Sequence, residues 1–579
     1  MTRNTWAPWV RTTSIVSLLA VAALAVVLRL KDPLSTNVIA AEDPFTHMAL
    51  VREHVRTGVL EPLYEAGTLY PPGMHAVLAA VWAFTGADLY SIFRFGPVVL
   101  GATGVLGVGA LLLRHEGPAA AFVGALALAV MPEHIFRTTM MAPTALDLAI
   151  LPVFLYALLG LLRGRVAWVG VAAPLAAFLV IAHPWLFAIV APVGLLLVAF
   201  SLLPGGPRAH RVAPVGAAAA LVVLGGGLAM SVSVCFEECG LGFDDIRFGG
   251  LAMNLDTIGL IVAAACAATA AVLVLARKQV TALQERLSSH RADGLLRFVA
   301  SGLIAAAIVA VTIPAVQHGM PEHVDLPRML GWPVLVLAAA GAVLIPFWRS
   351  PAAHAGAALA AVTYPFAIHN PFHSPFWPHR TVVFLAIGLA ILAGAAAGMA
   401  TKAAAAAWNA RVARSLKAPH GARPMLAGAG LSLALVVTLG GTVYAATPEE
   451  YPEGWYRLYP ECEFDALRST GEAAGPNTII ITGTWQAKLV IAAFAGDAKT
   501  VWYSQTYYLS EAERDRTTAG LLKDGYEVIV VVDRHMVVAD EPMDTSFLGA
   551  DAYSVRGAYC SGMGITSPRL VTYQAEGVA

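Results

Sequence analysis

The feature that most constrains this chain is a succession of long apolar runs separated by short polar breaks. They cover residues 12–30, 95–113, 119–132, 146–162, 166–182, 184–203, 212–234, 251–276, 298–316, 330–347, 352–369, 381–400 and 425–446. By length and hydropathy these are about 13 membrane spans, since a helix rising about 1.5 Å per residue crosses a hydrocarbon core of roughly 30 Å in about 20 residues. Composition agrees: 58% of residues are hydrophobic and 13% charged, against roughly 25% charged in an ordinary soluble protein. The predicted fold class is an α-helical polytopic membrane protein. Lys and Arg number 37 against 38 Asp and Glu, for a net charge of -1, which argues against nucleic acid as a partner, because a reader of DNA or RNA needs a basic face.

Charge placement sets the orientation. Arg3, Arg11, Arg114, Arg163, Arg165, Arg208, Arg211, Arg277, Lys278, Arg349, Lys402 and Arg411 all fall on one side of the alternating spans, and the positive-inside rule makes that side cytoplasmic. The first run is read as a span, not a cleaved signal peptide, because it exceeds the usual apolar region of roughly 7–15 residues and is followed by Arg29 and Lys31. Residues 70–86 are apolar but short and open with two prolines. Had they spanned, every later basic loop would face outward, so they are expected to lie in the outer interface. The N-terminus is then cytoplasmic in a cell membrane, and residues 447–579 are extracytoplasmic.

This divides the chain into a transmembrane domain, 1–446, with its first outer loop at 31–94, and an outer domain, 447–579. In the latter, strand-like runs 478–482, 500–503 and 526–532 alternate with helix-like runs 485–494 and 509–522, the pattern of an α/β domain with a parallel sheet. Ligands gather at the carboxyl ends of such strands, so Trp485, just beyond the first, is a candidate binding residue. Cys235, Cys239, Cys462 and Cys560 all fall on the outer side, where Cys235 with Cys239 and Cys462 with Cys560 are candidate disulfides.

The outward loops carry acids, among them Glu42, Asp43, Glu133, Glu322 and Asp325. Asp43 precedes Pro44 and a helix-like stretch, so its carboxylate stands at a helix entrance above the membrane. There it caps the helix, or it binds a hard divalent cation that bridges to phosphate.

Glu42-Asp43-Pro44-Phe45-Thr46-His47 resembles the Asp-Pro-aromatic-x-His/Asn pattern in the first outer loop of oligosaccharyltransferase catalytic subunits, archaeal ones especially. Tyr70-Pro71-Pro72-Gly73 resembles their Tyr-Pro-Gly segment, Arg94 precedes the second span as theirs does, and Pro132 to Thr138 resembles their Pro-x-x-Ile-x-Arg-Ser. The resemblance covers the first third in motif and the whole chain in architecture. It implies a GT-C membrane glycosyltransferase taking a sugar or glycan from a polyprenyl-phosphate-linked donor, with inversion, to a protein or glycan acceptor in contact with membrane lipid. It further implies Mn2+ or Mg2+ held by Asp43, with Asp147 and Glu322 as further catalytic ligands. Without a metal, Asp43 becomes the base that takes the acceptor proton. Arg380 would anchor the lipid phosphate, and His47, His134 and Trp485 would contact substrate.

Two departures stand out. The second-loop acidic pair is missing near 144–146, Asp147 lying just beyond, and the Trp-Trp-Asp acceptor motif is replaced by Gly483-Thr484-Trp485-Gln486. Recognition of Asn-x-Ser/Thr is therefore not implied. The readings set against transfer are a flippase or transporter for lipid-linked sugars, which calls for inverted repeats and midplane charges, and a non-catalytic scaffold.

Overall fold

The computed structural model describes residues 8–39, 41, 43–58, 72–202, 213–235, 246–248, 251–253, 255–287, 290–318, 325–347, 350–368, 378–411, 461–496, 500–503, 511–533, 537–538, 541–542, 553–559 and 570–575. Its helices are α1 Pro8–Ser35, α2 Asp43–Thr57, α3 Gly73–Thr85, α4 Leu89–His115, α5 Pro118–Val130, α6 Pro132–Arg137, α7 Pro143–Leu162, α8 Val169–Ala182, α9 Pro184–Leu202, α10 Ala213–Cys235, α11 Leu255–Leu275, α12 Arg277–Leu287, α13 His290–His318, α14 Leu326–Leu330, α15 Trp332–Leu344, α16 Pro351–Ile368 and α17 Pro378–Arg411. Twelve of the thirteen apolar runs fall largely on these helices, the run 251–276 opening in a short strand, and the run 425–446 lies outside the described residues. Four stretches, Val10–Ser35, Leu89–His115, Pro143–Leu162 and Arg380–Ala404, are long and apolar enough to cross a membrane, while several other described apolar helices are shorter. Helix α3 has 13 residues, about 20 Å of rise, too little to cross on its own.

Local sequence punctuates the bundle. Proline opens α5, α6 and α7, where the missing N–H is no loss, and Asp88 caps α4 by accepting from the Ser91 N–H at 3.0 Å. One continuous apolar core runs through α1, α4, α5, α7 to α10 and α15 to α17, including Val105, Leu128, Phe154, Phe187, Leu359 and Ile387. With no water to exclude, such helices hold together by close packing. Helices α16 and α17 meet at paired glycines, where a Cβ on Gly356 would stand 2.9 Å from the Gly388 carbonyl oxygen.

Arg29, expected as a charge flanking the first span, is instead inside the bundle, because α1 continues to Ser35 and the guanidinium is fully buried. It donates to Thr138 Oγ1 at 2.6 Å and to the carbonyl oxygens of Ala25 (2.9 Å) and Ala129 (3.2 Å), and meets His134 Nδ1 at 2.5 Å. A buried cation persists only when its donors are matched in this way.

Beyond a short hairpin, β1 Ile246–Phe248 with β2 Leu251–Met253, the strands are β3 Thr478–Thr482, β4 Thr500–Tyr503, β5 Glu527–Asp533, β6 Val537–Val538, β7 Glu541–Pro542, β8 Tyr553–Tyr559 and β9 Leu570–Ala575. Five of them form a sheet in the order β4-β3-β5-β9-β8. Strands β3, β4 and β5 are parallel, as the alternating runs predicted, and β9 and β8 add an antiparallel edge. Helices Trp485–Phe494 and Glu511–Lys523 lie between the parallel strands in sequence. Cys462 is disulfide-bonded; Cys239 and Cys560 lie outside the described residues, and Cys266 is a buried free thiol.

Candidate active-site cleft

Four segments converge at one end of the helix bundle: the start of α2, the link from α6 to α7, the break between α8 and α9, and the start of α17. Together they line a small cleft with Asp43, Arg137, Met140, Ala142, Pro143, Thr144, His183 and Arg380 in its wall.

Asp43 is the first residue of α2, exposed, with its neighbours Pro44 and Phe45 buried. Just before it, Ala41 holds a positive φ of 67°, a conformation an alanine adopts only under constraint. Ala41 and Phe136 both pack on the buried Met140, so the turn that presents Asp43 is set against the segment that carries Arg137. Arg137 donates from Nε to Glu133 Oε1 at 2.8 Å, and Glu133 is fully buried. The ion pair to this buried carboxylate fixes the direction of the guanidinium. Arg380 enters from the first turn of α17 and is exposed.

His183 occupies the whole break between α8 and α9. Pro184 follows it and bars the helical region to its backbone, which lies at φ -158°, ψ 82°. Its Nδ1 hydrogen-bonds Asp147 Oδ2. Asp147, in α7, is fully buried behind the cleft wall. Gly73 makes this geometry attainable: a Cβ there would stand 2.6 Å from the Ile181 carbonyl oxygen and 2.7 Å from the Ala182 nitrogen, so α3 abuts the chain directly ahead of His183.

Of the residues singled out from sequence, Asp43 and Arg380 share the cleft and Asp147 touches it through His183. His47 does not line it; it is 1% exposed and its Nδ1 lies 3.0 Å from His75 Nε2. His134 also lies in the interior, fully buried against Arg29. Trp485 opens the helix after β3, where Thr484 caps it by accepting from the Ala487 N–H at 3.3 Å. Glu322 lies outside the described residues. Sequence reasoning missed His183 and left Arg137 without a role. The available signals were an ionisable residue alone between two apolar runs, and the arginine of the Pro-x-x-Ile-x-Arg segment.

Of the expected Mn2+ or Mg2+ ligands, Asp43 and Asp147 are described and Glu322 is not. Among the described residues, no three His, Cys, Asp or Glu side chains come together to hold a metal ion. The cleft wall offers one carboxylate, one imidazole and two guanidiniums, whereas these cations call for several oxygens and no competing positive charge. Asp147 has given Oδ2 to His183, leaving one buried oxygen with no hydrogen-bond partner among the described residues. These residues do not make a metal cage, and no chemical step is drawn through one.

The helical bundle with its mixed five-stranded sheet is similar in fold to solved structures of an oligosaccharyltransferase and of ArnT. Archaeal oligosaccharyltransferase AglB from Archaeoglobus fulgidus, in complex with an inhibitory peptide and a dolichol-phosphate, superposes with a TM-score of 0.60 at 14% identity over 91% of this chain and 70% of that one. The apo oligosaccharyltransferase of the same organism gives 0.59 at 16% identity over 90% and 70%. ArnT from Cupriavidus metallidurans bound to undecaprenyl phosphate gives 0.50 at 14% identity over 98% of each chain. At such identities the likeness is one of fold. No protein-family model and no curated protein matches the sequence.

Proposed function

We propose that this chain is an inverting membrane glycosyltransferase that moves a sugar or glycan from a polyprenyl-phosphate-linked donor to a protein or glycan acceptor at the outer face of the membrane. The observation that carries the reading is the cleft itself, which sets one exposed carboxylate, Asp43, against two guanidiniums, Arg137 and Arg380. The solved neighbours were captured with dolichol-phosphate and undecaprenyl phosphate, and forked guanidiniums suit such a phosphate.

In this reading the guanidiniums hold the phosphate that leaves and stabilise the charge it gains. An acceptor hydroxyl or amide attacks the anomeric carbon from the opposite face while Asp43 takes its proton. The bond from that carbon to the phosphate oxygen breaks, and its electron pair departs with the polyprenyl phosphate. Asp43 is suited to the task because it stands exposed at the tip of a helix whose following residues are locked in the core. On this reading the basic loops are cytoplasmic and residues 447–579 extracytoplasmic. The acceptor is not bound to Asn-x-Ser/Thr, for want of the Trp-Trp-Asp motif. Arg380 is the phosphate anchor expected from sequence, and Arg137 joins it.

The test is reconstitution in lipid with a panel of polyprenyl-phosphate-linked sugars and acceptors. Asp43→Ala is expected to insert normally and transfer nothing. Undiminished transfer by that variant would overturn the reading.

A further inference from the structure

We propose that His183, held by the buried Asp147, is a third phosphate-gripping group of the cleft, and that Asp147 acts as its positioning residue and not as a metal ligand. The proposal rests on the reading of the cleft as the site of a phosphate-bearing donor, and adds to it a residue and a role.

Three observations support it. The first is placement. The connection between α8 and α9 is a single residue, and the proline after it keeps it out of either helix. His183 therefore cannot slide along a loop, and its ring shares the cleft wall with Arg137 and Arg380.

The second is the fate of the two ring nitrogens. Nδ1 is taken by Asp147 Oδ2, which leaves Nε2 as the nitrogen for a ligand. A carboxylate fixing one imidazole nitrogen so that the other can act is a recurrent way of orienting histidine. With a proton on each nitrogen, the ring donates to Asp147 on one side and to a phosphate oxygen on the other.

The third is what Asp147 otherwise lacks. It is fully buried in α7, and its Oδ1 has no hydrogen-bond partner among the described residues. A carboxylate in a membrane helix is costly and marks function by default; here its described contact is the histidine. The cleft wall thus carries three nitrogen-bearing side chains, His183, Arg137 and Arg380, together with the carboxylate of Asp43.

The experiment is direct binding of polyprenyl phosphate, and separately of inorganic phosphate, to the full-length protein in lipid nanodiscs, with thermal unfolding of each variant as a check on folding. Loss of one hydrogen bond to a charged group predicts that His183→Ala weakens polyprenyl phosphate binding by roughly ten-fold or more. His183→Gln, which preserves bulk and one neutral donor, is expected to fall between, and serves if the alanine variant fails to fold. Asp147→Asn should also weaken binding, and the double variant should be no worse than His183→Ala alone within about two-fold, because Asp147 acts through the ring. A matching loss with inorganic phosphate assigns the contact to the phosphate group itself; a loss confined to polyprenyl phosphate assigns it to the lipid-borne form. Affinities within about two-fold of wild type for both His183 variants overturn the proposal, as does recovery of Asp147→Asn on adding Mn2+, which would make Asp147 a metal ligand. His183-dependent binding in a protein that transfers no sugar removes the glycosyltransferase reading and leaves this one standing. Transfer with an affinity indifferent to His183 does the reverse.

Discussion

Phe45 and Phe464 lie with ring centroids 5.7 Å apart, though they are more than 400 residues apart in sequence. Phe45 is two residues after Asp43, at the base of the turn that presents the carboxylate. Phe464 belongs to the helix Glu461–Glu472 and also meets Tyr90 at 5.9 Å and Phe494, edge to face, at 5.9 Å. The α/β segment thus seats itself on α2, and Asn37, which donates its N–H to Glu461 Oε1 at 2.9 Å, pins the preceding link. Phe464 is fully buried, so Phe464→Ala should cost about 3–5 kcal/mol. The expected outcome is a lower unfolding temperature together with reduced transfer below that temperature, since the support of Asp43 is loosened. Thermal unfolding and transfer assays on the same preparation check it.

Gly73 offers a second test, on the opposite wall. Its hydrogen faces the Ile181 carbonyl at a distance that no Cβ tolerates, so Gly73→Ala forces α3 away from the residues ahead of His183. Overpacking of this kind typically costs 1–3 kcal/mol. The variant is expected to raise the donor KM although it alters no polar group. Gly170→Ala, in α8, the helix that Gly73 abuts, but with nothing within 4 Å of the added carbon, should be neutral or slightly stabilising. Equal behaviour of the two would show that the contact at Gly73 does not matter.

The Arg29 cluster predicts an asymmetry between two cations. Arg29 makes four contacts in three directions through its fork, and an ammonium cannot reproduce that spread. Arg29→Lys should therefore destabilise the bundle by about 3 kcal/mol or more, in the manner of a buried charge that loses its partners. Unfolding in detergent or lipid measures this. A shift of under about 0.5 kcal/mol would mean that the network carries little of the packing of α1 on α5 and α6.

Much of this was legible in the sequence, and the boundary has physical causes. The helices were readable because an apolar run of membrane length has few alternatives, and the parallel strands because Thr478–Thr482 and Glu527–Asp533 are dense in β-branched residues. Asp43 was readable because Asp-Pro at a helix entrance is a local pattern. His183 was not, since its meaning depends on Asp147, 36 residues earlier, and a lone histidine has no periodicity. For His47 and His134 the resemblance implies substrate contact; the chain instead buries them against His75 and Arg29, partners remote in sequence.

Burial of His47 makes a prediction about acid stability. Desolvation, reinforced by the nearby His183, lowers its pKa from the ordinary 6.5 to about 3. Above pH 6.5 the ring is neutral both folded and unfolded, and its contribution is fully present. As pH falls from about 6.5 toward 3, only the unfolded chain takes up the proton, so stability drops by up to about 1.4 kcal/mol per pH unit. His47→Gln should flatten that slope by one proton. Glu116 acts in the opposite sense: burial pushes its carboxyl up from 4.5 to about 7, so its contribution is lost as pH rises through that range. The informative quantity is therefore the difference between wild type and His47→Gln, measured as unfolding free energy at several pH values between 4 and 7. Parallel curves would mean that His47 takes up its proton in the folded state and that its interior setting does not keep it neutral.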